Sequence, residues 1–227
     1  MGKATVKRII CGIMFNHSFS ILDEWGKIAD TLLYNTSKKS PGFSSQYFPT
    51  ISQQYTTSRF LSNQDLGHSL ELTSNNLIYT HTIQNDFESE YKEFISRVEK
   101  CLIPKIIDKY ALITRRIGMV YICEMDNTSI SSFKQQYFSK SSEITDCRFA
   151  IRTTTPEGLA FSGNDNYVNK IYTVGSIDDA IQGISFDYQL YFQPPQPEIT
   201  SKITSFFETS KKCFFEEIFN EEYCGKR

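Results

Sequence analysis

The sequence predicts an α+β protein, a mostly antiparallel sheet packed by three longer helices. Three observations carry this. Ile184, Phe186, Tyr188, Leu190 and Phe192 alternate with Ser185, Asp187 and Gln189, the period-two pattern of a strand with one covered face. Phe87, Tyr91, Phe94, Ile95, Val98, Leu102 and Ile106 recur at helical spacing, as do Ile199, Ile203, Phe206, Phe207, Phe214 and Ile218. Runs of strands with hairpin connections such as Ser74-Asn75-Asn76 lie between these helices.

The elements follow in order. Ala4 to Phe15 is apolar on both alternating faces, as expected of a strand covered on both sides. Ser20 opens a helix with Asp23 and Glu24 in its first turns, and the helix stops before Pro41-Gly42. Thr50 to Leu61 reads as one strand, and His68-Leu70-Leu72 with Leu77-Tyr79-His81-Ile83 as a hairpin. Asp86 caps the next helix, which Pro104 should kink or shorten. An apolar strand over Ile117 to Met125, entered at Arg115-Arg116, and a short helix over Ser129 to Phe138 follow. Strands at Cys147 to Arg152, Val168 to Val174 and Ile184 to Phe192 precede a last helix from Glu198 to Glu222. The reading is one compact domain over 1–227. A loose recurrence of strand, helix, strands and helix suggests halves 1–140 and 141–227, with no residue-level repeat behind it.

Composition narrows the function classes. With 24 Lys plus Arg against 26 Asp plus Glu, the net charge of −2 draws the whole protein neither to nucleic acid nor to a membrane. No stretch approaches the roughly 20 apolar residues that span a bilayer. The short apolar run Ile9 to Phe15, interrupted by Gly12, reads as a first strand and not as a signal peptide. The 6 cysteines are scattered without zinc-ligand spacing, which fits a reducing, cytoplasmic setting.

No phosphate-binding glycine loop, HExxH or GxSxG occurs. Glu90-Tyr91-Lys92 has the form of a nuclease E-x-K but falls in a helix. His68 and His81 face each other across the hairpin, either as ligands of one group or as ordinary strand residues. Asp187 is the most catalytic-looking carboxylate, on the polar side of an apolar strand. Arg115, Arg116, Arg148 and Arg152 form a candidate nucleic-acid surface: Arg148 and Arg152 share a strand face. If the strands from Arg116 and Cys147 adjoin, three arginines meet, with Tyr121, Tyr167 and Tyr172 as stacking surface. Against this stands solvation of an outer face. Gly118, inside an apolar strand, is expected to let a helix pack closely, with Arg115-Arg116 as the strand's charged entry.

The stretch TRRIGMVYICEM resembles the strand signature R-I-G-L-R-Y-I-N of a sporadically distributed, uncharacterised bacterial protein family of about this length. SFDYQLYF and the later KITSFFETSKKCFFEEIF are similar to that family's aspartate-bearing strand and terminal helix. The matching positions are Arg116, Ile117, Gly118, Tyr121 and Asp187. Val120 stands where the family often has a second arginine, and Cys123 where it often has asparagine, which favours a structural role for the motif. The resemblance brings no reaction or cofactor. The family's patchy distribution is like that of anti-phage defence genes, which implies a partner protein encoded nearby.

Three functional expectations result. The first is a non-enzymatic binding or assembly subunit acting with a partner protein in bacterial anti-phage defence. The second is a nucleic-acid-binding module using the arginine face, and the third an enzyme with its site near Asp187. No cofactor or metal is expected. The terminal helix holds more phenylalanine than one apolar stripe needs, so Phe215 and Phe219 are expected at a partner or homodimer interface.

Overall fold

The computed structural model describes residues 4–33, 43, 48, 50–55, 57–138, 143–156, 159, 165–178 and 181–218. In chain order the elements begin with β1 (Ala4–Phe15), α1 (Ser20–Asp23), α2 (Trp25–Leu33), β2 (Thr50–Tyr55) and β3 (Ser58–Asn63). Next come β4 (His68–Thr73), β5 (Asn76–Thr82), α3 (Phe87–Arg97) and a π-helical segment, Val98–Asp108. The second half comprises β6 (Thr114–Met125), α4 (Asn127–Tyr137), β7 (Cys147–Thr154), β8 (Tyr167–Asp178), β9 (Ile181–Gln196) and α5 (Thr200–Glu217).

The class is α+β, with fewer long helices than the sequence pattern suggests. The first helix breaks at Glu24 into pieces of 4 and 9 residues. The helix capped by Asp86, whose carboxylate accepts from the Ser89 N–H at 2.8 Å, is regular for 11 residues only. Beyond Arg97 it continues as a π-helix across Pro104, a wider turn in which the proline ring need not clash with the carbonyl four residues before it. Pro104 thus lies within the helix and does not end it. Among the described residues only α5 runs long as a regular α-helix, at 18 residues.

The 9 strands form one sheet in the order β2-β3-β4-β5-β1-β6-β9-β8-β7. Every pairing is antiparallel. The expected single strand over Thr50 to Leu61 is two, β2 and β3, paired as a hairpin. β1 and β6 sit at the centre, and outward from them each half reads last strand first. Each half starts with a 12-residue strand followed by helix, then strands, then helix.

One sheet face carries the core. Ile9, Cys11, Ile13 and Phe15 of β1 lie there with Ile117, Met119, Tyr121 and Cys123 of β6 and Ile184, Phe186, Tyr188 and Leu190 of β9, all buried. The aromatic rings interlock across elements: Tyr121 stacks on Phe214 of α5 at 4.5 Å, and Tyr79 of β5 on Phe94 of α3 at 4.6 Å. The other face of β1 is not covered as its apolar pattern predicts. Arg8, Ile10, Gly12 and Met14 are only half-buried.

Candidate functional site

The uncovered face is built from three adjacent rows of cross-strand neighbours. The first runs Thr80–Ile10–Val120–Asp187–Ile171–Ala150. The second runs Glu71–Ile78–Gly12–Gly118–Gln189–Asn169–Arg152. The third runs Asn76–Met14–Arg116–Tyr191–Tyr167–Thr154. Strict alternation along each strand places these residues opposite the core.

Gly12 and Gly118 face each other where the second row crosses the central strand pair, and they leave a dimple of about 150 Å³. Ile10, Ile78 and Val120 wall it; Arg116, Asp187, Gln189 and Asn76 give it polar groups. Gly118 thus opens toward this face and not toward a helix, because Ile117 and Met119 on either side of it point into the core. The expectation of close helix packing at Gly118 is corrected accordingly. A glycine in a strand interior costs roughly 0.5–1 kcal/mol relative to alanine, and here two lie side by side.

Asp187 sits at the rim. Its Oδ2 accepts from Gln189 Nε2, and Gln189 Oε1 accepts from the Tyr191 hydroxyl at 3.0 Å. Arg116 Nη1 in turn donates to that hydroxyl oxygen at 3.3 Å. Burial pushes the Asp187 carboxyl up to about 6, opposed by the Gln189 hydrogen bond and by the Arg116 and Arg148 guanidinium charges. The dimple offers a carboxylate, a guanidinium and two carboxamides, and no hydroxyl, thiol or imidazole.

Beside it, Arg116, Tyr191, Tyr167 and Arg152 form a stack across four strands. The Arg116 guanidinium lies 5.6 Å from the Tyr191 ring, the two tyrosines stack at 4.8 Å, and Arg152 lies 4.2 Å over Tyr167. Arg152 is also held by Asn169 Oδ1 at 3.2 Å. Arg148 shares the face, and exposed Arg115 lines a hollow at its end with Met14 and Tyr191. The condition for three adjoining arginines is not met: β9 and β8 separate β6 from β7, so Arg116 and Arg152 are bridged by tyrosines. Tyr121 and Tyr172 are core residues, while Tyr191 was missed. Its signal was its place in the polar register of Asp187 and Gln189, hidden because tyrosine counts as apolar.

The remaining candidates lie away from this face or outside the described residues. His68 and His81 do meet, as an imidazole stack beneath α3, with Glu90 Oε2 2.8 Å from His81 Nε2. Glu90, the acid of the E-x-K tripeptide, also accepts from the Gln84 and Asn85 N–H groups and so pins the approach to α3. Among the described residues no group of three His, Cys, Asp or Glu side chains is placed to hold a metal. Nor is any helix there long and apolar enough to cross a membrane. Phe215 is half-buried against Phe87, and Phe219 lies outside the described residues.

No family model and no curated protein matches the chain. Among solved structures it is similar to a Methanococcus jannaschii TBP at 10% identity, over 93% of this chain and 98% of that one, with a TM-score of 0.22.

Proposed function

We propose that the protein is a non-enzymatic binding subunit whose uncovered sheet face docks a partner protein. One observation carries the reading. Among the described residues the helices cover a single side of a 9-stranded sheet, and the other side presents Ile10, Met14, Ile78, Val120 and Ile171, half-buried, in adjacent rows. An aliphatic centre rimmed by arginines is the composition of a protein-binding surface. The family resemblance adds that the partner is encoded nearby and acts in anti-phage defence. The test is co-purification with the product of the adjacent gene. Met14→Glu and Ile171→Glu, which leave the core face untouched, should abolish the complex while the melting temperature holds. A complex unaffected by both changes removes the reading.

The stack of Arg116, Tyr191, Tyr167 and Arg152 favours a second reading, a single-stranded nucleic-acid surface. Binding of a labelled oligonucleotide should then weaken with salt, and Arg148→Ala with Arg152→Ala should flatten that dependence. Binding indifferent to salt and to both substitutions would rule it out.

A further inference from the structure

Neither Gly12 nor Gly118 has a backbone reason to be glycine. Among the described glycines, positive φ occurs at Gly67 and Gly175 and at neither member of this pair. A Cβ at Gly12 would meet nothing within 4 Å, and one at Gly118 would touch Asp187 Oδ1 and Gln189 at 3.6 Å, an ordinary contact distance. What the pair contributes is empty space, at the point where apolar walls, a carboxylate and a guanidinium converge.

We propose that the dimple receives a carboxamide side chain, Asn or Gln, from the docked partner; the inference rests on the sheet face being a protein-binding surface. The cavity of about 150 Å³ matches a side chain of this size. In liquid water that space would hold about five molecules of ~30 Å³ each. Ile10, Ile78 and Val120 would enclose the aliphatic stem.

The polar groups select the head. Asp187 Oδ2 is engaged by Gln189, while no hydrogen bond reaches Oδ1 from the described residues. Arg116 has Nη1 on Tyr191, while no hydrogen bond engages its Nη2 among the described residues. The site therefore holds one unfilled acceptor and one unfilled donor, and the same two groups carry opposite charges. A cation entering would gain from Asp187 and lose to Arg116, and an anion the reverse. A neutral amide, with N–H and C=O on one carbon, fills both without an unpaired charge. Arg148 is exposed, so its charge is screened by solvent and disturbs the balance little.

The probe is propionamide, with propylammonium and propionate as charged matches of the same size. Titrated into ¹⁵N-labelled protein, propionamide should shift the Gly12 and Gly118 amide resonances saturably, and the charged probes should not. Gly12→Val fills open space, so the melting temperature should hold while the propionamide shifts vanish. Saturable shifts from either charged probe, no saturable shift at all, or shifts that survive in Gly12→Val would each overturn the proposal. Its failure is separable from that of the docking reading. A partner complex intact in Gly12→Val removes the dimple alone, whereas one intact in Met14→Glu and Ile171→Glu removes the face.

Discussion

The imidazoles of His68 and His81 stack at 4.0 Å with an 18° tilt, sealed beneath α3 at 4% and 3% exposure. Burial and the neighbouring His81 lower the His68 pKa to about 4; burial also lowers that of His81, against the hydrogen bond it donates to Glu90. Arg97 adds to both shifts, while Glu93 opposes the second.

The first prediction is acid sensitivity. A histidine whose folded pKa lies below its unfolded value of about 6.5 leaves the unfolded chain binding more protons in that window. Its contribution to stability is full above pH 6.5 and is lost as pH falls toward 4. Between pH 7.5 and 5 the unfolding free energy should drop by about 1–2 kcal/mol from His68. His68→Gln should flatten the slope in denaturant titrations. A slope unchanged by the substitution would place the acid sensitivity elsewhere.

A second prediction concerns the core polar knot. The Tyr121 hydroxyl lies 3.2 Å from that of Tyr91 and 3.0 Å from Ser210 Oγ, and both of those groups donate to the Phe207 carbonyl. Burial raises the pKa of both phenols, so they are neutral hydrogen-bonding groups that join α3, β6 and α5. Tyr121→Phe should cost about 1–2 kcal/mol by leaving buried partners short of a hydrogen bond. Ser210→Ala should be non-additive with it in a double-mutant cycle.

The sequence reading succeeded where one pattern had one solution. Alternation over Ile184 to Phe192 permits only a half-covered strand, and Asp187 and Arg148–Arg152 accordingly lie on the polar face expected of them. It failed where both alternating sets were apolar. In β1 and β6 the sets Ile10–Met14 and Val120–Ile122 are as hydrophobic as the core sets, so hydropathy could not say which side the helices take. The glycine pair is legible only once the register puts Gly12 opposite Gly118, a long-range pairing that local pattern does not contain. Tyr191 was lost for the same reason, its role being set by Arg116 and Tyr167 on neighbouring strands.

A third prediction addresses the end of the π-helical segment. Ala111 has φ of 48°, in the left-handed region, where the Leu112 N–H returns to the Ile107 carbonyl at 2.9 Å. A Cβ is disfavoured in this conformation and glycine is the usual residue. Ala111→Gly should therefore stabilise the protein by about 0.5–1 kcal/mol, despite the added freedom of the unfolded chain. A lower unfolding free energy in the variant would count against the strain.

The last prediction decides between two roles for Phe215. The spare phenylalanines of α5 suggested a contact outside the fold. The structure gives Phe215 intramolecular neighbours: its ring centre lies 5.8 Å from that of Phe87 and 5.4 Å from that of Phe214. The Lys211 ammonium lies 5.6 Å from the Phe215 ring, 5.8 Å from Phe87 and 4.9 Å from Tyr91. That ammonium also meets Glu88 at 2.6 Å, so three rings and a carboxylate surround one cation and tie α5 to the start of α3. Phe215→Ser removes a wall of this enclosure as well as half-buried apolar area. It should lower stability by about 1–2 kcal/mol, less than a full core deletion because the ring is only partly covered. The mass measured by light scattering should stay unchanged, since the side chain's contacts are made within the chain. A fall in mass with the melting temperature retained would instead return Phe215 to an interface between copies.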